Sequence, residues 1–130
     1  NNDLGKCALM ELRKRNVGTN YILEGGDRLG IYFLENGAVS RGSKVIYDRS
    51  NSAVSEITTG MIDWKEIFKD TQWFHWTGIT PAISKSAADT CLEAVKLASE
   101  MGVTISTDLN YRAKLWNYEG DREKIMTELT

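Results

Sequence analysis

A chain of 130 residues with 42% hydrophobic side chains is long enough to bury a core of its own or to form part of a larger domain. Its 16 basic and 18 acidic groups leave a formal charge of −2, which excludes the long-range field by which basic proteins collect nucleic acid or anionic lipid. No apolar run is long enough to span a bilayer, the amino end lacks the layout of a signal peptide, and the two cysteines lie far apart, so a cytoplasmic protein without disulfides is expected.

The first pattern is helical: Leu4, Ala8, Leu9 and Leu12 form one face, with Asp3 as the expected cap. Arg13-Lys14-Arg15 then complements the carboxyl end of that helix. Cys7 and Cys91 both fall on apolar helical positions and are expected as buried thiols, neither bridged nor bound to metal. Gly25-Gly26-Asp27-Arg28-Leu29-Gly30 has glycine spacing suggestive of a phosphate loop, yet no lysine-serine pair follows it, so it reads as a turn. The period then becomes two, placing Leu29, Ile31 and Phe33 on one face of a strand and Gly30, Tyr32 and Leu34 on the other. Asn36-Gly37 signals a turn, and a second strand over Lys44 to Arg49 aims Val45, Tyr47 and Arg49 one way. No helix follows to cover this hairpin, so it is expected to protrude as a lid.

Beyond Gly60 the order is helix, strand, helix, strand, helix. Asp63-Trp64-Lys65-Glu66 has the form of a capping box. Trp73 to Gly78 reads as a strand covered on both faces, with His75 a satisfied core imidazole and Trp64, Trp73 and Trp76 core or interface residues. Ser84 or Ser86 opens a long helix marked by Ala87, Cys91, Leu92, Val95, Ala98 and Met101, and Gly102 closes it. Val103 to Thr107 is the next strand. A strand, crossover helix and strand imply a right-handed parallel unit, with Gly78 to Pro81 and Asp108 to Arg112 both at its carboxyl edge.

That edge is where open α/β sheets bind ligands, and the run Asp108-Leu109-Asn110-Tyr111-Arg112 places an acid, an amide, a phenol and a guanidinium there. The plainer alternative is a capping loop, with Asp108 or Asn110 at a helix start and Arg112 solvated. On the hairpin, Tyr32, Tyr47 and Arg49 would offer phenol and guanidinium donors to an oxygen-rich ligand, or form a dimer face, or do both on opposite sides.

The run Asp108 to Arg112, continued by Lys114-Leu115-Trp116, together with Tyr47-Asp48-Arg49 and Ser52-Ala53, resembles the ribokinase-like (PfkB) sugar kinases, above all those acting on 2-keto-3-deoxygluconate. Asn2-Asp3-Leu4-Gly5, a helix and then Asn16-Val17-Gly18 resemble a further family segment, with its Gly-Val pair inverted. The resemblance implies a three-layer α/β/α fold with a parallel sheet and a β lid. Residues 1–19 and 58–130 would belong to the core and 20–57 to the lid. It implies transfer of the ATP γ-phosphoryl group, with Mg2+, to an acidic keto-sugar. Tyr32, Tyr47 and Arg49 would hold the sugar from the lid and Arg112 from the rim. Asn110 would lie near the phosphate path, and Asp108 would organise the loop or lie near the metal and phosphates. Small-molecule sugar acid and ATP are the expected partners, with self-association through the lid and neither nucleic acid nor membrane.

Two family elements have no match here: an early glycine-rich sugar-binding segment and a late Gly-Ala-Gly-Asp element that carries the catalytic base. The chain is therefore expected to be an internal piece of a longer enzyme, inactive alone, with no catalytic or metal-ligating residue of its own. A neutral-sugar kinase such as a fructokinase is the alternative within the family, and a non-catalytic binding or assembly module the alternative outside enzymes.

Overall fold

The computed structural model describes residues 2–130 and forms two compact units, Asn1–Val54 and Ser55–Thr130. In the first, α1 spans Asp3–Lys14. Its cap is Asn2, whose Oδ1 accepts from the Gly5 amide at 2.9 Å, whereas Asp3, expected as the cap, is the first helical residue and pairs with Lys6. Arg13 and Lys14 occupy the last turn. Cys7 is exposed, contrary to expectation, because it falls one position off the stripe of Ala8, Leu9 and Leu12.

Strands β1 (Ile31–Glu35) and β2 (Lys44–Asp48) pair antiparallel with Tyr32 opposite Tyr47 and Phe33 opposite Ile46. Residues 36–43 join them in a longer loop than a two-residue Asn-Gly turn. Gly37 lets the loop close on itself, since a Cβ there would lie 2.1 Å from the Arg41 carbonyl oxygen. The left-handed residue of this loop is Val39, at φ 55°. A two-stranded ribbon cannot cover both of its faces, and Tyr32, Phe33, Leu34, Val45, Ile46 and Tyr47 are all exposed.

The second unit contains α2 (Trp64–Phe68), β3 (Trp73–Thr77), α3 (Ile79–Ile83), α4 (Lys85–Glu100), β4 (Thr104–Asp108) and α5 (Arg122–Leu129). Asp63 caps α2 through the Glu66 amide, the first half of the expected box, while the Glu66 carboxylate turns to Lys69. Ser84 caps α4 through the Ala87 amide. Gly102, at φ 73°, closes the helix: its amide reaches the Ser99 carbonyl and the Val103 amide reaches that of Ala98. This double bond pattern is the Schellman motif. Strands β3 and β4 pair in parallel through α4, with Trp73 opposite Thr104 and Thr77 opposite Asp108.

Alternation on β3 sends Phe74 and Trp76 toward the helices. Phe68, Ala94, Ala98 and Val103 form one buried cluster, and Trp76, Cys91 and Leu129 another, joined through Phe74 and Ile105. The small alanine face of α4 admits the aromatic side chains of α2 and β3, where Phe68 meets Phe74 at 5.1 Å and Trp64 at 5.5 Å. Among the described residues, the opposite face of β3 is open at Trp73 and His75 and half-buried at Thr77. Trp73 is 64% exposed and His75 is exposed, which corrects the expectation of a strand buried on both sides around a core histidine. Their polar atoms meet at Ser106 Oγ, 2.8 Å from both Trp73 Nε1 and His75 Nδ1. No helix among the described residues is long and apolar enough to cross a membrane.

Candidate functional site

The carboxyl edge of β3 and β4 is drawn together at one residue. Gly78 is buried, donates its amide to the Asp108 carbonyl at 2.8 Å, and lies so close to the next peptide that a Cβ would fall 1.9 Å from the Leu109 oxygen. Beyond it the chain enters the five-residue α3, Ile79–Ile83, at that edge. Pro81 sits in the first turn of this short helix, where no backbone donor is required of it.

Past β4, Asp108 Oδ1 accepts from the Asn110 amide at 3.1 Å, and Asn110 takes φ 35°, a left-handed setting that asparagine tolerates. Neither residue caps a helix. That role in α5 belongs to Asp121, which accepts from the amides of Glu123 and Lys124. Arg112 is exposed and donates to the Tyr111 carbonyl at 3.1 Å.

The same loop walls a cleft of about 660 Å³ lined by Gly78, Leu109, Tyr111, Trp116, Arg122 and Met126, among others. Arg122, which drew no attention in the sequence, donates to the Tyr111 hydroxyl at 2.9 Å. Trp116 packs 5.7 Å from the Tyr118 ring, and Tyr118 donates its hydroxyl to the Pro81 carbonyl. Burial, with Asp89 nearby, pushes the Tyr118 phenol up to about 12 from its ordinary 10. Between those two values the unfolded chain releases this proton and the folded one keeps it, so stability is lost as pH rises. Urea melts are expected to weaken from pH 10 to 12 in the wild type and to weaken less in Tyr118→Phe, with the remaining loss below about 11 coming from Cys91, whose thiol burial pushes up to about 11.

In the first unit, the three residues singled out on the hairpin lie together. Tyr32 and Tyr47 are cross-strand partners with ring centroids 6.4 Å apart, and the Arg49 guanidinium carbon stands 4.9 Å over the Tyr47 ring. Beside them is an arginine the sequence did not reveal. Arg28 grips both carboxylate oxygens of Asp48 at 2.8 Å and also donates to the carbonyls of Asp48 and Ser50. Their mutual hydrogen bond holds the Asp48 carboxyl below its usual range and the Arg28 guanidinium above its own. The glycine-containing stretch around Arg28 is an irregular segment, not a phosphate loop opening a helix.

No group of three histidine, cysteine or carboxylate side chains able to hold a metal occurs among the described residues. Asp108 offers one carboxylate with an oxygen already engaged, so these residues do not compose a cation cage.

No family model matches the chain. It is 38% identical over 122 residues to a 2-dehydro-3-deoxygalactonokinase of Haloferax volcanii, a match covering 92% of this chain and 37% of that protein. A 2-dehydro-3-deoxygluconokinase from Thermotoga maritima, known by crystal structure, is 52% identical with a TM-score of 0.86 over 89% of this chain and 36% of that one. A PfkB family carbohydrate kinase from Listeria grayi superposes with a TM-score of 0.90 at 35% identity, covering 98% of this chain and 40% of that one. The chain thus spans well under half the length of the relatives it matches. Its α/β architecture matches part of the ribokinase-like fold those structures share, and the relatives that cover most of this chain in sequence and in fold are PfkB carbohydrate kinases and 2-dehydro-3-deoxy sugar-acid kinases.

Proposed function

We propose that this chain supplies sugar-binding residues of a kinase that phosphorylates 2-dehydro-3-deoxygluconate (2-keto-3-deoxygluconate) or its galactonate epimer. The observation that carries the reading is the cluster of Tyr32, Tyr47 and Arg49: two phenols and a guanidinium held within one contiguous patch. A planar guanidinium matches a sugar carboxylate with two parallel hydrogen bonds, and phenols serve hydroxyls. Arg112 supplies a second positive group for the acidic sugar, and residues 20–57 act as a lid on a core containing residues 1–19 and 58–130. Asn110 and Asp108 lie toward the phosphate region, where the Asp108 carboxylate orders the loop through the Asn110 amide. When bound, ATP with Mg2+ would supply the phosphoryl group and the metal would offset its charge, with Asn110 and Asp108 as this chain's residues on that side. What this chain contributes is positioning, which accounts for much of phosphoryl-transfer catalysis. No base is assigned to it, and the 130 residues alone are expected to be inactive. The protein acts in the cytoplasm and self-associates through the hairpin, whose Phe33 and Ile46 form an exposed apolar pair on the face opposite the two tyrosines.

The test is phosphorylation of 2-dehydro-3-deoxygluconate, 2-dehydro-3-deoxygalactonate and fructose by the full-length kinase. One of the acids is expected to exceed fructose in kcat/KM by roughly 100-fold, the scale of a lost charge-assisted contact. Equal or better use of fructose overturns the reading in favour of a neutral-sugar kinase.

A further inference from the structure

We infer that Arg28 is the positioning residue for Arg49: it clamps the backbone on both sides of that arginine and takes up the one carboxylate adjacent to it. The inference rests on the assignment of Arg49 to the acidic sugar.

Arg28 reaches 20 residues along the chain with one planar group. Nη1 donates to Asp48 Oδ1 at 2.8 Å and to the Ser50 carbonyl at 3.1 Å. Nη2 meets Asp48 Oδ2 at 2.8 Å and the Asp48 carbonyl at 2.9 Å. The two carbonyls belong to the residues immediately before and after Arg49, so the peptide that enters Arg49 and the one that leaves Ser50 are both anchored to one rigid fork. The clamp is closed from the other side by the Ala53 amide, which donates to the carbonyl of Arg28 itself at 2.9 Å. Gly30 then provides the bed for the Arg49 stem. A Cβ there would stand 3.5 Å from Arg49 Cγ and 3.3 Å from the buried Ser52 side chain. From this base the Arg49 guanidinium extends over Tyr47.

The second part of the role is electrostatic. Asp48 alternates with Tyr47 and Arg49 along the strand, yet an unpaired carboxylate one residue from the guanidinium that is to receive an anion would add a negative charge repelling the ligand. With both oxygens held by Arg28, that charge is offset. A lysine at position 28 would keep the charge but not the fork, because a single ammonium cannot span two carboxylate oxygens and two carbonyls in one plane.

The experiment measures steady-state constants of the full-length kinase with 2-dehydro-3-deoxygluconate and ATP for Arg28→Ala, Arg28→Lys, Arg28→Ala with Asp48→Asn, and Arg49→Ala. Arg28→Ala is expected to raise the sugar KM about tenfold while kcat and the ATP KM stay within about twofold. Arg28→Lys should fall between, and adding Asp48→Asn to Arg28→Ala should recover part of the loss by removing the orphaned charge. Loss spread equally over kcat and both KM values, with no recovery from Asp48→Asn, marks a merely structural arginine and overturns the inference. An unchanged sugar KM in Arg28→Ala, alongside a raised one in Arg49→Ala, overturns it alone. An unchanged sugar KM in Arg49→Ala overturns the assignment beneath it and the inference with it. If Arg28→Ala does not fold, Arg28→Lys carries the same comparison.

Discussion

Gly78→Ala should cost this protein about 3 kcal/mol, the upper part of the range for overpacking, in urea unfolding. The added methyl would stand 1.9 Å from the Leu109 carbonyl oxygen and 2.7 Å from its carbon. Both are backbone atoms, so no side-chain rotation relieves the clash. Relief requires moving either the turn into α3 or the end of β4, and each move strains the hydrogen bond from the Gly78 amide to Asp108. Two other glycines calibrate the result. Gly102→Ala meets no atom but must hold a left-handed backbone at φ 73°, for about 1 kcal/mol. At Gly42 a Cβ meets nothing within 4 Å, so alanine there should fall within about 0.5 kcal/mol of wild type. A Gly78→Ala protein as stable as Gly42→Ala would show that the β3 and β4 ends are not packed as described. Because the displaced backbone carries the Asp108 and Asn110 turn, the same substitution in a full-length kinase should impair substrate binding as well as stability.

The parallel unit was legible because its signals are local and agree with one another. The apolar period from Ala87 to Met101, the serine before it and the glycine after it define α4, and a helix of that length between two β-rich runs leaves parallel pairing as the simplest connection. Which side chains alternate together within each hairpin strand was legible for the same reason, since a period of two needs no partner to be read, whereas the pairing of Tyr32 with Tyr47 depends on the register of the two strands. What escaped depends on distant chain. Whether a second layer covers Trp73 and His75 is not written in residues 73 to 78, and an aromatic-rich strand reads alike with one covered face or two. The helix α3 has only five residues and contains a proline, which ordinarily marks a boundary. Arg28 looked like part of a turn because its partners lie 20 and 22 residues away. Arg122 lies in the first turn of α5 after the capping Asp121, and its partner Tyr111 is 11 residues away, outside any local pattern.

The resemblance to sugar kinases supplied what periodicity did not, a reason to weigh Arg49 and Arg112 together, and that pairing yields the prediction with the largest kinetic effect. In the full-length kinase, Arg49→Ala and Arg112→Ala should each raise the KM for 2-dehydro-3-deoxygluconate roughly 10- to 100-fold, the worth of a hydrogen bond to a charged group. The ATP KM should stay within about twofold, because neither side chain is assigned to the nucleotide. The geometry sets an order between them. Arg49 is held over Tyr47 and half-buried, so little conformational freedom remains to be lost when a ligand binds. Arg112 is exposed and its guanidinium donates to the carbonyl preceding it, an arrangement it must give up to meet an anion. Its truncation should therefore be the milder of the two. Fructose, which has no carboxylate, provides the internal control: its weak phosphorylation should change little in either variant. Equal losses on fructose and on the acid would assign the two arginines to folding or to the hydroxyls and remove the physical ground for an acidic substrate.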